Sequence, residues 1–251
     1  MIFVLKKRTL IVVAICMLVA ILTTGGMFTS QAIAKSRKVP IYAVDVGQTK
    51  KIAITFDAAW GADKTKGILD ILQKNDCKAT FFLVGFWIKN FPDMVKEINA
   101  CGMEIGNHSD NHLKMSTLTV DDIKKELDTV NNGVYKLIGK KTKYFRAPFG
   151  DYNNNLIAEA ENLGYTPIQW SVDSLDWKGL SGSEICKRVL NKAENGSIIL
   201  CHNNSDHILE ALPIILKELK LKGFSFVTMS ELVYKENFNI DNSGIQHLNS
   251  K

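Results

Sequence analysis

Five histidines occur in the chain, and two of them, His108 and His112, stand four residues apart. On one helical turn, or a loop shaped like one, imidazoles at that spacing face a common point and can bind one metal ion. Asp57 follows an apolar run over 51–56; its carboxylate either caps the next segment or stands poised as a base. Arg146 opens the stretch RAPFG, in which Pro148 and Gly150 set a tight turn that would hold the guanidinium near a carboxylate. Such an arginine stitches a loop, orients a reacting group, or does both. Asp173 and Asp176 put two carboxylates beside Trp177, an aromatic face suited to a sugar ring or to a core. Leu200 and Cys201 lead into His202 at the end of another apolar run, a place for a satisfied buried imidazole or for an acid. A carboxylate base, an imidazole acid and two metal-binding imidazoles are groups that hydrolases use.

The elements that must position them alternate. Strand-like runs at 51–56, 79–84, 103–106, 144–146, 167–170, 197–201 and 224–227 are separated by helical patterns. The helix over 120–138 has Thr119 as its N-cap and a core stripe of Ile123, Leu127, Val130, Val134 and Leu137. Pro92 opens another helix, and Ser181 with Glu184 forms a capping box for a third. About seven β-α units with near-continuous apolar strands predict an α/β fold, a parallel sheet covered by helices. In such folds chemistry collects at the C-terminal ends of the strands. Asp57, His108, Arg146, Asp173, Asp176 and His202 all fall at or just beyond such ends.

The chain has 251 residues, 46% apolar and 23% charged, an ordinary balance for one folded body. Residues 1–34 read as a secretory signal or an N-terminal membrane anchor: Lys6, Lys7 and Arg8, an apolar run over 10–22, then Ala32-Ile33-Ala34. Export to the extracytoplasmic space, in the cell wall or attached to the membrane, is therefore expected. The net charge of +5 comes largely from that segment, which gives no ground for a nucleic-acid partner. Cys77, Cys101, Cys186 and Cys201 are expected as buried free thiols, the first two as neighbours at one end of the fold. Residues 35–48 read as a lead-in, 49–235 as the folded domain, and 236–251 as a polar, mobile tail. No protein partner is indicated.

Taken in order, Thr55-Phe56-Asp57, the His108/His112 pair, Arg146-x-Pro148-x-Gly150, Asp173-x-x-Asp176-Trp177 and Leu200-x-His202 resemble the five motifs of the polysaccharide deacetylases. These are carbohydrate esterase family 4, with the NodB-type domain; FDAAWGADKT, ATFFLVGFW and QWSVDSLDWKGLS are most similar to its sporulation-associated, PdaB-type branch. The resemblance implies a distorted (β/α) barrel, a divalent metal, usually zinc, and an N-acetylated, cell-wall-type polysaccharide as substrate. It implies roles as well. Asp57 would be the general base held by Arg146, His108 and His112 the metal ligands, and His202 the general acid. Asp176 or Asp173 would support one of these side chains, and Trp177, Pro148 and Leu200 would belong to the substrate wall. One position departs from the pattern: the family's first motif carries a second aspartate, a metal ligand, where this chain has Ala58. Water or Asp63 is left to fill that place.

Overall fold

The computed structural model describes residues 37–249. The expected signal or anchor at 1–34 and Cys16 lie outside them. Among the described residues no helix is long and apolar enough to cross a membrane.

The centre of the molecule is a curled, parallel sheet, the NodB-type half-barrel that the motif order implies. Ala43–Val44 (β1) precedes it. Its strands are Lys51–Ala58 (β2), Thr80–Leu83 (β3), Glu104–Asn107 (β4), Tyr144–Phe145 (β5), Thr166–Pro167 (β6), Val172–Asp173 (β7) and Ile198–His202 (β8). They lie in the order β6-β5-β4-β3-β2-β8-β7, and Ser225–Phe226 (β9) pairs with the start of β2. β2 is buried along seven of its eight residues, as a strand covered on both faces must be.

The helices are Thr65–Lys74 (α1), Gly85–Asn90 (α2), Pro92–Ala100 (α3), Val120–Ile138 (α4), Asn154–Asn162 (α5), Gly182–Leu190 (α6), Ile208–Leu221 (α7) and Met229–Leu232 (α8). Thr119 caps α4 through the Asp122 amide, and Gly139 ends it at φ 68°. Ser181 and Glu184 form the capping box of α6. The main core lies between sheet and helices, with Phe56, Phe81, Leu69, Trp87, Ile199 and Leu216 wholly buried.

Three expectations change. The strand at 167–170 is split, because the chain changes partners there: the Ile168 amide donates to Phe145, but the Ser171 amide donates to Ile198. The tail does not read as mobile. Phe238–Ile240 (β10) and Ile245–Leu248 (β11) pair antiparallel, and β11 runs parallel to β1. Gln246 explains the order: its fully buried amide accepts from the Tyr234 amide and donates to the Tyr234 carbonyl. The lead-in is likewise structural, bridging Ile41 to Ile168 and Ala43 to Ser197 across the sheet edges. Cys77, Cys186 and Cys201 are buried free thiols; Cys101 is free but only half-buried.

One glycine fixes how the barrel interior fits. A Cβ at Gly106 on β4 would lie 2.5 Å from the Phe82 ring. Gly106→Ala should therefore push that ring off its neighbours and destabilise the fold by about 1–3 kcal/mol, read as a lower midpoint in denaturant.

Candidate active site

β2 ends between β3 and β8, so Asp57 sits in register with Phe82 on one side and His202 on the other. Arg146 follows β5 and reaches beneath the carboxylate. It is fully buried. Its Nη1 donates to Asp57 Oδ1 at 2.7 Å and to Thr55 Oγ1 at 2.9 Å, and Nη2 donates to the Gln169 carbonyl at 3.1 Å. The Thr55 hydroxyl spends its own proton on the Ile199 carbonyl, which leaves its oxygen free to accept. The guanidinium lies over the Phe82 ring at 4.1 Å, with Trp170 at 5.7 Å. Burial alone would raise the Asp57 pKa; the charge and hydrogen bond of Arg146, with His202 behind it, outweigh burial and hold the carboxyl below the usual range.

His108 and His112 lie in a loop, not on a helical turn. Ser109 at φ 66° and His112 at φ 53° bend it back, so the two rings sit with centroids 5.0 Å apart. Ser109 Oγ accepts from the His112 amide, and Asn107 Oδ1 accepts from the Ser109 amide. Glu126, turned inward from α4, accepts from the Asn111 amide at 2.8 Å and from its side chain at 2.7 Å. The His108 Nδ1 is bonded to the Arg146 carbonyl at 2.8 Å, which makes it the protonated nitrogen and frees Nε2. That Nε2 stands 3.4 Å from Asp57 Oδ2. Burial lowers the pKa of both imidazoles, of His112 to about 4, so both are neutral at pH 7.

On the other wall His202 ends β8. Buried Asp176 accepts from the His202 amide at 2.8 Å and engages its Nδ1 at 2.7 Å. Burial opposes the imidazolium, but Asp176, then Asp57 and Asp173, raise the His202 pKa above its ordinary value. Asp173 acts mainly on the backbone, where its Oδ1 accepts from the Leu175 amide and shapes the turn.

Asp57, His108, His112, Trp177, Leu200 and His202 line one groove of about 440 Å³. Arg146 and Asp176 stand behind it, and Pro148 is buried in the turn rather than in the groove wall. That turn presents Phe149, which the motifs do not single out, at φ 61° and 69% exposed. A bulky residue at positive φ costs about 1–3 kcal/mol, a strain kept where the surroundings demand it. Phe149 and Trp60, also outside the motifs and 59% exposed, flank His112 with ring centroids at 4.6 and 5.1 Å. With exposed Trp177 they give the groove a stacking rim of the kind sugars use.

A catalytic zinc takes three protein ligands and keeps one position for water. His108 and His112 supply two neutral imidazoles. Asp63 does not supply the third: it is 72% exposed, pairs with Lys64 and is not in the groove wall. Ala58 is fully buried among apolar residues. Among the described residues no three His, Cys, Asp or Glu side chains are grouped to hold a metal. The donor set is one short of a resident catalytic zinc.

Residues 45–168 match the family model for polysaccharide deacetylase. Over 197 residues the chain is 35% identical to the peptidoglycan-N-acetylmuramic acid deacetylase PdaA of Bacillus subtilis, covering 76% of this chain and 75% of that protein. The chain belongs to the polysaccharide deacetylase family. It is also 38% identical to B. subtilis YlxY over 72% of its own length, but spans only 57% of that relative. Among solved structures of carbohydrate esterase family 4, that of BA3943, a pseudoenzyme from Bacillus anthracis, is similar with a TM-score of 0.75. The identity there is 30%, over 85% of this chain and 73% of that one. A BA3943 mutant with restored enzymatic activity matches at 35% identity and a TM-score of 0.74, over 77% and 71%.

In this deacetylase-family groove the Asp176 carboxylate is the main group that raises the His202 pKa against burial. The His202 imidazole should therefore titrate above its ordinary value, and lower in Asp176→Asn, where burial is opposed only by the more distant charges of Asp57 and Asp173. Histidine NMR against pH reads both; an unchanged titration in the variant would refute the assignment.

Proposed function

We propose that this chain removes N-acetyl groups from a peptidoglycan-type glycan, working outside the cytoplasm after export through its N-terminal segment. The observation that carries the reading is the pair of supported proton-transfer groups, Asp57 on Arg146 and His202 on Asp176, facing one groove. Asp57, ionised at neutral pH, takes a proton from the attacking water, whose oxygen bonds to the acetyl carbon. His202 carries its groove-side proton on Nε2, since Nδ1 is tied to Asp176. It passes that proton to the sugar nitrogen as the C–N bond breaks, which leaves acetate and a free amine. Trp60, Phe149 and Trp177 hold the sugar rings. No step is assigned to a metal, because the donor set lacks its third member. PdaA, a relative, is a peptidoglycan deacetylase by name, and the PdaB-like segments support a role in the spore wall.

A second reading is favoured by Ala58: a glycan-binding member of the family with little or no turnover. A carboxylate restored at this buried position would be desolvated unless a cation met it. The two readings separate by acetate release from N-acetylated glycan oligomers. Under the enzymatic reading the wild type releases acetate, Asp57→Asn slows it by about 10²–10⁴-fold, and Ala58→Asp with added zinc exceeds the wild type. Oligomer binding without acetate release by the wild type would establish the second reading. Acetate release that survives Asp57→Asn would overturn the mechanism.

A further inference from the structure

A second cavity, about 770 Å³, lies where the lead-in and the β10–β11 hairpin meet the sheet edge. That volume is in the range of about 300–1,000 Å³ usual for small-ligand sites. Its wall combines Tyr42 of the lead-in, Ser171, Asn191 and Lys192 after α6, and Ser243 of the β10–β11 turn. Trp170 belongs to this wall and also to the wall of the catalytic groove. Aromatic rings beside amide, hydroxyl and ammonium groups can stack on sugar rings and bond their hydroxyls. Both segments are fitted closely to this position. Gly244 comes so near Tyr42 that a Cβ there would lie 2.5 Å from its ring. His247 of β11 bridges Asp45 at 3.3 Å and Asp241 at 3.2 Å, which ties the lead-in to the C-terminal turn.

We propose that this cavity is a second glycan subsite, and that a glycan strand seated in the catalytic groove continues past Trp170 into it. The protein therefore selects long strands over single disaccharides. The proposal rests on the glycan-groove reading above and gives the C-terminal sheet a purpose beyond closing the fold. Asn191 and Lys192 lie outside the catalytic groove and outside the apolar core, so their truncation leaves the core untouched. Ser243→Trp adds bulk inside the cavity without removing a core contact.

The test is calorimetric binding of β-1,4-linked N-acetylglucosamine dimer and hexamer to the full chain. The hexamer should bind the wild type about tenfold or more tightly than the dimer, a difference of about 1.4 kcal/mol. That ratio should fall to about twofold in Asn191→Ala/Lys192→Ala and, separately, in Ser243→Trp. Dimer binding with no hexamer preference, or a preference that both variants keep, overturns the second subsite and leaves the groove reading standing. No binding of either oligomer to the wild type overturns both.

Discussion

The arrangement depends on one buried ion pair. Arg146 is fully buried, and a guanidinium out of water is costly unless its charge is met and most of its donors are used; here both Nη atoms are bonded and Nε alone has no partner. Asp57 meets the charge, Thr55 and Gln169 take further protons, and the rings of Phe82 and Trp170 lie against the guanidinium. The partners come from different parts of the sheet: β2, β3 and the segment between β6 and β7. The pair therefore acts as a keystone, because any shift of one strand relative to another leaves a buried donor or charge unmet. The same geometry keeps Asp57 ionised, so the requirement that holds the barrel together also gives the carboxylate the state that the proposed base needs.

His202, the proposed acid, is supported by the same logic on the opposite wall. Asp176 is buried and bonds both the backbone amide and the ring of His202, which fixes the imidazole and favours its charged form. Two carboxylates in one site thus act in opposite directions. One is held anionic, as a base would be, and the other favours the charged form of a neighbouring imidazole, as an acid would need. The metal pair follows a different rule. His108 and His112 are held neutral by burial, as ligands must be, yet position 58 has been absorbed into the apolar core. The Asp57 and His202 pairs and the His108/His112 pair have separate supports in this fold, and only the second falls short of the donor set a catalytic zinc takes.

Much of this was legible in the sequence because it rests on local signals. The 3.6-residue stripe and Thr119 cap of α4, the capping box of α6 and the apolar strands ending at Asp57 and His202 are each written within a few residues. What was not legible depends on distant partners. α2 is six residues long and opens on a glycine, too short for a periodic signal. The two-residue strand β7 exists only through its pairing with β8. Glu126 reads as one more charge on a helix surface, but it turns inward because Asn111 presents two donors to it. Trp60 and Phe149 are single aromatics in separate loops, and only the folded chain sets them on either side of His112. The tail looked polar and mobile because its order comes from β1, about two hundred residues earlier.

In the proposed mechanism the groove keeps a base, Asp57, and an acid, His202, while holding only two of the three donors of a catalytic zinc. Calorimetric titration of zinc into the full wild-type chain tests this most directly. Two imidazoles alone predict binding no tighter than roughly micromolar, about −8 kcal/mol, and its loss in His108→Ala. Stoichiometric binding in the nanomolar range, about −12 kcal/mol, would require a third protein donor and would contradict a two-ligand site.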